Sequence, residues 1–197
     1  MFDPAKEFLS HTAVPNAMLP EIGKISVLFA YLDMEMNIQI WNLIGSGNQV
    51  GRSITNSLTN FSSRLAMLEN LAVLKVPADT LRFKELATHL RYAADDRNRL
   101  LHDEIFSGSA AKRMLRVRRT NPRQESQTSY VYDMPAFEDL AERIERLRVF
   151  MGWFENKDPR WLSEPLPSLD KSPTRLAQIQ NADQQRAQAR SGRQTPI

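Results

Sequence analysis

Apolar residues recur at helical spacing along most of this chain. From Glu21 to Ile44 they fall at Ile22, Ile25, Phe29, Leu32, Met36, Ile40 and Leu43, which predicts a long helix. The stretch Asp33–Ile40, "DMEMNIQI", alternates polar and apolar residues as a strand does, but length and the Met, Leu and Ala content decide for helix. Its apolar residues cover more than one face, so it is expected at the centre of a bundle or at a subunit interface. "GSGNQVG" (Gly45–Gly51) breaks the pattern as a helix C-cap and turn. A second helix is expected from Arg52 to Leu74, with Ile54, Leu58, Phe61, Leu65, Leu68 and Leu71 as its stripe. Pro77 ends it, and a third begins at Asp79 or Thr80 and runs to Leu101.

The period then changes. In Arg113–Thr120, "RMLRVRRT", Leu115 and Val117 alternate with Arg116 and Arg118, and Ser129–Met134, "SYVYDM", is aromatic and β-branched. This predicts a β-hairpin or extended excursion. A fourth helix follows, with Asp133 as N-cap, Pro135 in the first turn, and a stripe of Phe137, Leu140, Ile144, Leu147, Met151 and Phe154. The expected fold is mostly α, a four- to five-helix bundle with a short basic insertion before the last core helix. Residues 1–19 read as an N-terminal arm and 20–156 as the helical domain. Residues 157–197 read as a Pro/Gln/Arg-rich tail, largely disordered, with Trp161 and Leu162 pinning its start to the core.

Composition narrows the chemistry. With 197 residues, 42% hydrophobic and 25% charged, the chain is sized and composed as one globular domain plus a tail. The absence of Cys excludes disulfides, thiol catalysis and cysteine-rich zinc sites. No secretory leader is legible, and the most apolar run, Ile25–Leu32, is far short of the roughly 20 residues of a membrane span. A cytoplasmic location, away from membranes, is therefore expected. The glycine-rich turn at Gly45–Gly51 follows a helix and lacks the spacing of a phosphate loop, and neither HExxH nor a nucleophile-elbow serine is present. No cofactor or metal is expected.

One stretch stands apart: "DDRNRLLHDE", residues 95–104. On the third helix the apolar stripe Leu86, Leu90, Ala93, Leu100 is continued by Arg97, so an arginine is expected at a core-facing position. A guanidinium there is costly unless paired with an acid or left facing a wet cleft. Asn98 and His102 are four apart and lie one above the other on the helix. The plainer reading is that Arg97 pairs with Asp33 or Glu35 and that His102 complements the helix dipole. His89 and His11 carry no partner pattern.

Arg97, Asn98 and His102 have the R-N-x-x-x-H spacing that marks HEPN domains, and the third helix resembles that motif. The resemblance extends over roughly residues 20–156. It takes in the apolar first helix with an acid, Glu35, in "YLDMEMNI", and the second stripe "LTNFSSRLAMLENL". It continues through an extended segment after the histidine to a closing helix, "FEDLAERIERL". It implies a helical bundle that forms a homodimer, with two copies of the motif facing one cleft. Many members are metal-independent endoribonucleases of toxin–antitoxin or defence systems, and others bind nucleotides, nucleic acid or partner proteins without cleavage. An antitoxin or regulatory protein is thus an implied partner, beside RNA.

The residue types suit the chemistry. His102 can exchange a proton near neutral pH. Arg97 presents a permanently charged fork matched to phosphate oxygens. Asn98 can hold a phosphate or orient His102, and Glu35 is expected to support Arg97. Asp95, Asp96, Asp103 and Glu104 flank the motif and would repel a phosphate unless turned away. The counterweight is downstream. Lys112, Arg113, Arg116, Arg118, Arg119 and Arg123 fall in an acid-free run and form the candidate nucleic-acid-binding set, with Tyr130 and Tyr132 available for stacking. A solvated charge run on an exposed loop is the alternative.

Overall fold

The helix with the most continuous apolar pattern is the axis of the structure. α1, Leu19–Ile44, packs on every other long helix and ends where Gly45 enters the left-handed region at φ 72°. That conformation favours glycine because no side chain has to clear the preceding carbonyl. The computed structural model describes Val14, residues 16–102 and residues 133–176. It also describes the backbone of 104–107, 113–121 and 124–132, and isolated positions beyond 176. The chain is mostly helical.

The segment expected as one helix from Arg52 to Leu74 is two: α2, Asn48–Asn56, and α3, Phe61–Lys75. Short hydroxyl and amide side chains make the break. The Ser57 hydroxyl donates to the Ile54 carbonyl, and Asn60 caps α3 by accepting from the Ser63 N–H at 2.8 Å. α2 thereby folds back over the end of α1, where the Trp41 indole N–H donates to the Thr55 hydroxyl. α4, Thr80–His102, follows a single 3₁₀ turn at Pro77–Asp79. α5, Met134–Glu155, starts at an Asp133 cap whose carboxylate accepts from the Ala136 N–H, with Pro135 in the first turn.

Between α4 and α5 the backbone pairs as an antiparallel three-stranded meander: β1, Glu104–Ser107, β2, Arg113–Asn121, and β3, Gln124–Asp133. The core is one cluster contributed by α1, α3, α4 and α5, including Leu32, Leu68, Phe83, Leu90, Phe137 and Phe150.

Residues 158–176, expected at the head of a disordered tail, are packed on the bundle. A short helix, α6, Arg160–Ser163, buries Trp161 against Phe83 and Phe154, and Leu169, Ser172 and Thr174 are buried further on. Arg82 of α4 holds this segment by donating to the Trp161 and Glu164 carbonyls. Beyond Leu176 most of the tail, like most of the N-terminal arm, lies outside the described residues.

Candidate functional site

The motif occupies the last two turns of α4. Arg97 and Asn98 are joined by a 2.9 Å hydrogen bond from the guanidinium Nη1 to the Asn98 amide oxygen. Asn98 is exposed, and His102, the last residue of the helix, is exposed one turn further on. Arg97 is half-buried, its guanidinium 5.2 Å over the Phe29 ring of α1, and its Nε is buried without a hydrogen-bond partner. Burial pushes the guanidinium below its ordinary value, and the nearby Asp33 carboxylate opposes that shift. It stays charged at neutral pH all the same.

The expected support from Glu35 does not form. Glu35 accepts from Arg148 of α5 at 2.9 Å, and Asp33 is held bidentately by Arg64 of α3 at 2.8 Å. Each acid is nearer to a rival arginine on the helix flanking its own face of α1. Among the described residues Arg97 therefore has no ion-pair carboxylate.

The charge that enters the core is the neighbouring acid. Asp96, not Arg97, is fully buried at 0% exposure, opposite Arg143 of α5 at 4%. Both 96 and 97 satisfy helical spacing between Ala93 and Leu100, so periodicity alone could not choose between them. Asp96 accepts from Arg143 Nη2 at 2.8 Å, from the Ser172 hydroxyl at 2.8 Å and from the Thr174 N–H at 2.9 Å. Arg143 Nε also reaches Asp139 at 2.9 Å, and Arg99 Nε donates to the Thr174 hydroxyl. This network was missed in the sequence, although an arginine inside the α5 stripe, between Leu140 and Leu147, was a signal for it. One consequence bears on the site: an acid adjacent to Arg97 is turned away and neutralised.

The basic segment is described as backbone only. In the register, Arg116 lies opposite Tyr130, Met114 opposite Tyr132 and Arg118 opposite Thr128. Strand alternation puts these positions on one face of the sheet and Arg113 and Arg119 on the other. Lys112 and Arg123 lie outside the described residues. β1 begins two residues after His102 and β3 runs directly into α5, so the sheet and the motif share one end of the bundle.

His89 of α4 is half-buried beside Arg143 and Arg82, with Nδ1 unpartnered. Its pKa is lowered, first by burial and then by these two cations. Among the described residues no group of His and acidic side chains is arranged to hold a metal, and no helix is long and apolar enough to cross a membrane. Comparison of the chain with protein-family models, curated proteins and solved structures returns no match.

Proposed function

We propose that the chain is a metal-independent endoribonuclease of HEPN type, of the kind that serves toxin–antitoxin or defence systems. The observation that carries the reading is an arginine that, among the described residues, has no ion-pair acid, five residues before an exposed histidine at the end of the same helix. Arg97 is held by Asn98 and the Phe29 ring while Asp33, Glu35 and Asp96 are committed to other arginines. In this reading Arg97 binds the phosphate that is attacked, and Asn98 positions Arg97. His102 takes the proton of the RNA 2′-hydroxyl or returns one to the departing 5′-oxygen. The positions Arg116 and Arg118, with Tyr130, supply charge and stacking for the strand.

A dimer would complete the cleft. α1 leaves Val27, Tyr31 and Met34, at i, i+4 and i+7, 55%, 48% and 51% exposed on one face, which suits a second copy.

The test is incubation of purified protein with total RNA in EDTA. Cleavage leaving 2′,3′-cyclic phosphate ends, and abolished by His102→Ala, supports the reading, whereas cleavage that survives the substitution refutes the mechanism. A second reading, a non-catalytic nucleic-acid-binding module, is favoured by the burial of Arg97 Nε against the protein. Binding without cleavage under any condition would select it.

A further inference from the structure

At the other end of α4, about 25 Å along the helix from the motif, lies a groove of about 400 Å³. Gln39, Asn42 and Leu43 of α1 form one wall. Val76 and Asp79 close a second, and the end of α5 with the turn into α6 makes the third. The aromatic lining is Phe154 and Trp161, buried, with ring centroids 5.0 Å apart. The lip is Leu162, 63% exposed.

The charges of the groove are uneven. Asp158 is neutralised by Arg160 at 2.7 Å, whose hydrogen bonds hold its carboxyl below the usual range. Glu155 is different. Its two oxygens accept from the Gln39 and Asn42 amides at 3.1 and 3.0 Å. Those bonds orient the carboxylate without cancelling its charge, and among the described residues no cation pairs with it or with Asp79. Lys157 is the single opposing charge in the lining. An apolar concavity with a few oriented polar groups is the usual form of a small-molecule site. The fixed, uncompensated carboxylate selects a cation, and the aromatic lining suits an apolar body attached to it.

We propose that this groove binds a small organic ammonium ion carried on an apolar or aromatic body, the ammonium on Glu155 and the body against Phe154 and Trp161. The site is independent of the motif and of any reaction there. The probe is phenethylammonium, titrated calorimetrically into the full chain, with 2-phenylethanol as the neutral isostere. Saturable one-to-one binding is expected, weakened about tenfold or more by Glu155→Gln, which keeps a group of the same shape but loses the charge. The neutral isostere should be weaker by a similar factor. Leu162→Lys, at an exposed position that does not threaten folding, should also displace the probe. No saturable binding at millimolar probe, equal affinity for the alcohol, or indifference to Glu155→Gln would each overturn the proposal. So would binding that appears only as the chain self-associates, which would give the groove to a second copy.

Discussion

Replacing Asp96 by Ala removes the acceptor at the centre of the α4–α5 seam. Among the described residues three donors lose their partner: Arg143 Nη2, the Ser172 hydroxyl and the Thr174 N–H. Breaking a buried ion pair costs about 3–5 kcal/mol because the remaining charge is stranded. Here Asp139 still faces Arg143 Nε at 2.9 Å, which places the pair term at the low end, about 3 kcal/mol. The two neutral donors are exposed to water if residues 172–174 lift, and cost about 1 kcal/mol together in that case. The expected loss is thus about 4 kcal/mol, or about 10 °C in Tm for a chain of this size. Urea unfolding followed by tryptophan fluorescence measures it, and Trp161 reports directly on the docked segment. The same titration on Arg143→Met and on the double variant closes a cycle. The double variant should be less destabilised than the sum of the singles by about 2 kcal/mol, since removing both charges leaves neither stranded. A cost below about 1 kcal/mol for Asp96→Ala, or strict additivity, would refute the reasoning.

Gly51→Ala should destabilise by about 1–3 kcal/mol, because a Cβ there would stand 2.4 Å from Trp41 Cγ; an unchanged Tm would show that α2 shifts at no cost. The lowered pKa of His89 means that the unfolded chain binds the extra proton first. Its contribution is therefore full above the ordinary value of about 6.5 and is lost as pH falls below it, with a slope of at most about 1.4 kcal/mol per pH unit. Stability curves of the wild type and His89→Gln should converge toward acid pH, and parallel curves would exclude His89 as the source. Replacing Arg116, Arg118 and Arg119 by Gln should flatten the salt dependence of single-stranded RNA binding, by up to about 0.7 in slope for each phosphate no longer neutralised. An unchanged slope would make the segment a solvated run. Glu35→Gln should cost only about 1 kcal/mol, since the Glu35–Arg148 pair is about a quarter exposed, and should leave RNA cleavage intact.

The helices were legible where periodicity, caps and breakers agreed. Gly45, Pro77 and Asp133 each stand at a boundary read from residue type alone. The division of α2 from α3 was not legible, because Leu58 continues the apolar stripe across the break and the signal lies in the backbone bonds of Ser57 and Asn60. Nor were the partners of the charges. Four arginines, at 64, 97, 143 and 148, compete for Asp33, Glu35 and Asp96, and which pairs form depends on helix packing that spacing does not encode. The placement of Arg97 on the core stripe was one position off for the same reason. The packing of residues 158–176 was hinted at only by Trp161, since Pro-rich composition masks a segment whose affinity comes from a few buried side chains and carbonyl acceptors.

That docked segment also bears on how the chain folds. Its contacts with α4 join residues 79 apart at Arg82–Trp161 and 78 apart at Asp96–Thr174. Closing loops of that length carries an entropy term of about 4 kcal/mol, about 1 kcal/mol more than the shorter closures within α1–α4. Because Ser172 and Thr174 dock on Asp96 where it already faces Arg143 of α5, their ordering needs the α4–α5 seam in place and should come after the transition state. Substitutions at those two positions should accelerate unfolding and leave the folding rate nearly untouched, so the residence time of the native state, more than the speed of reaching it, is set by the last stretch of chain to dock.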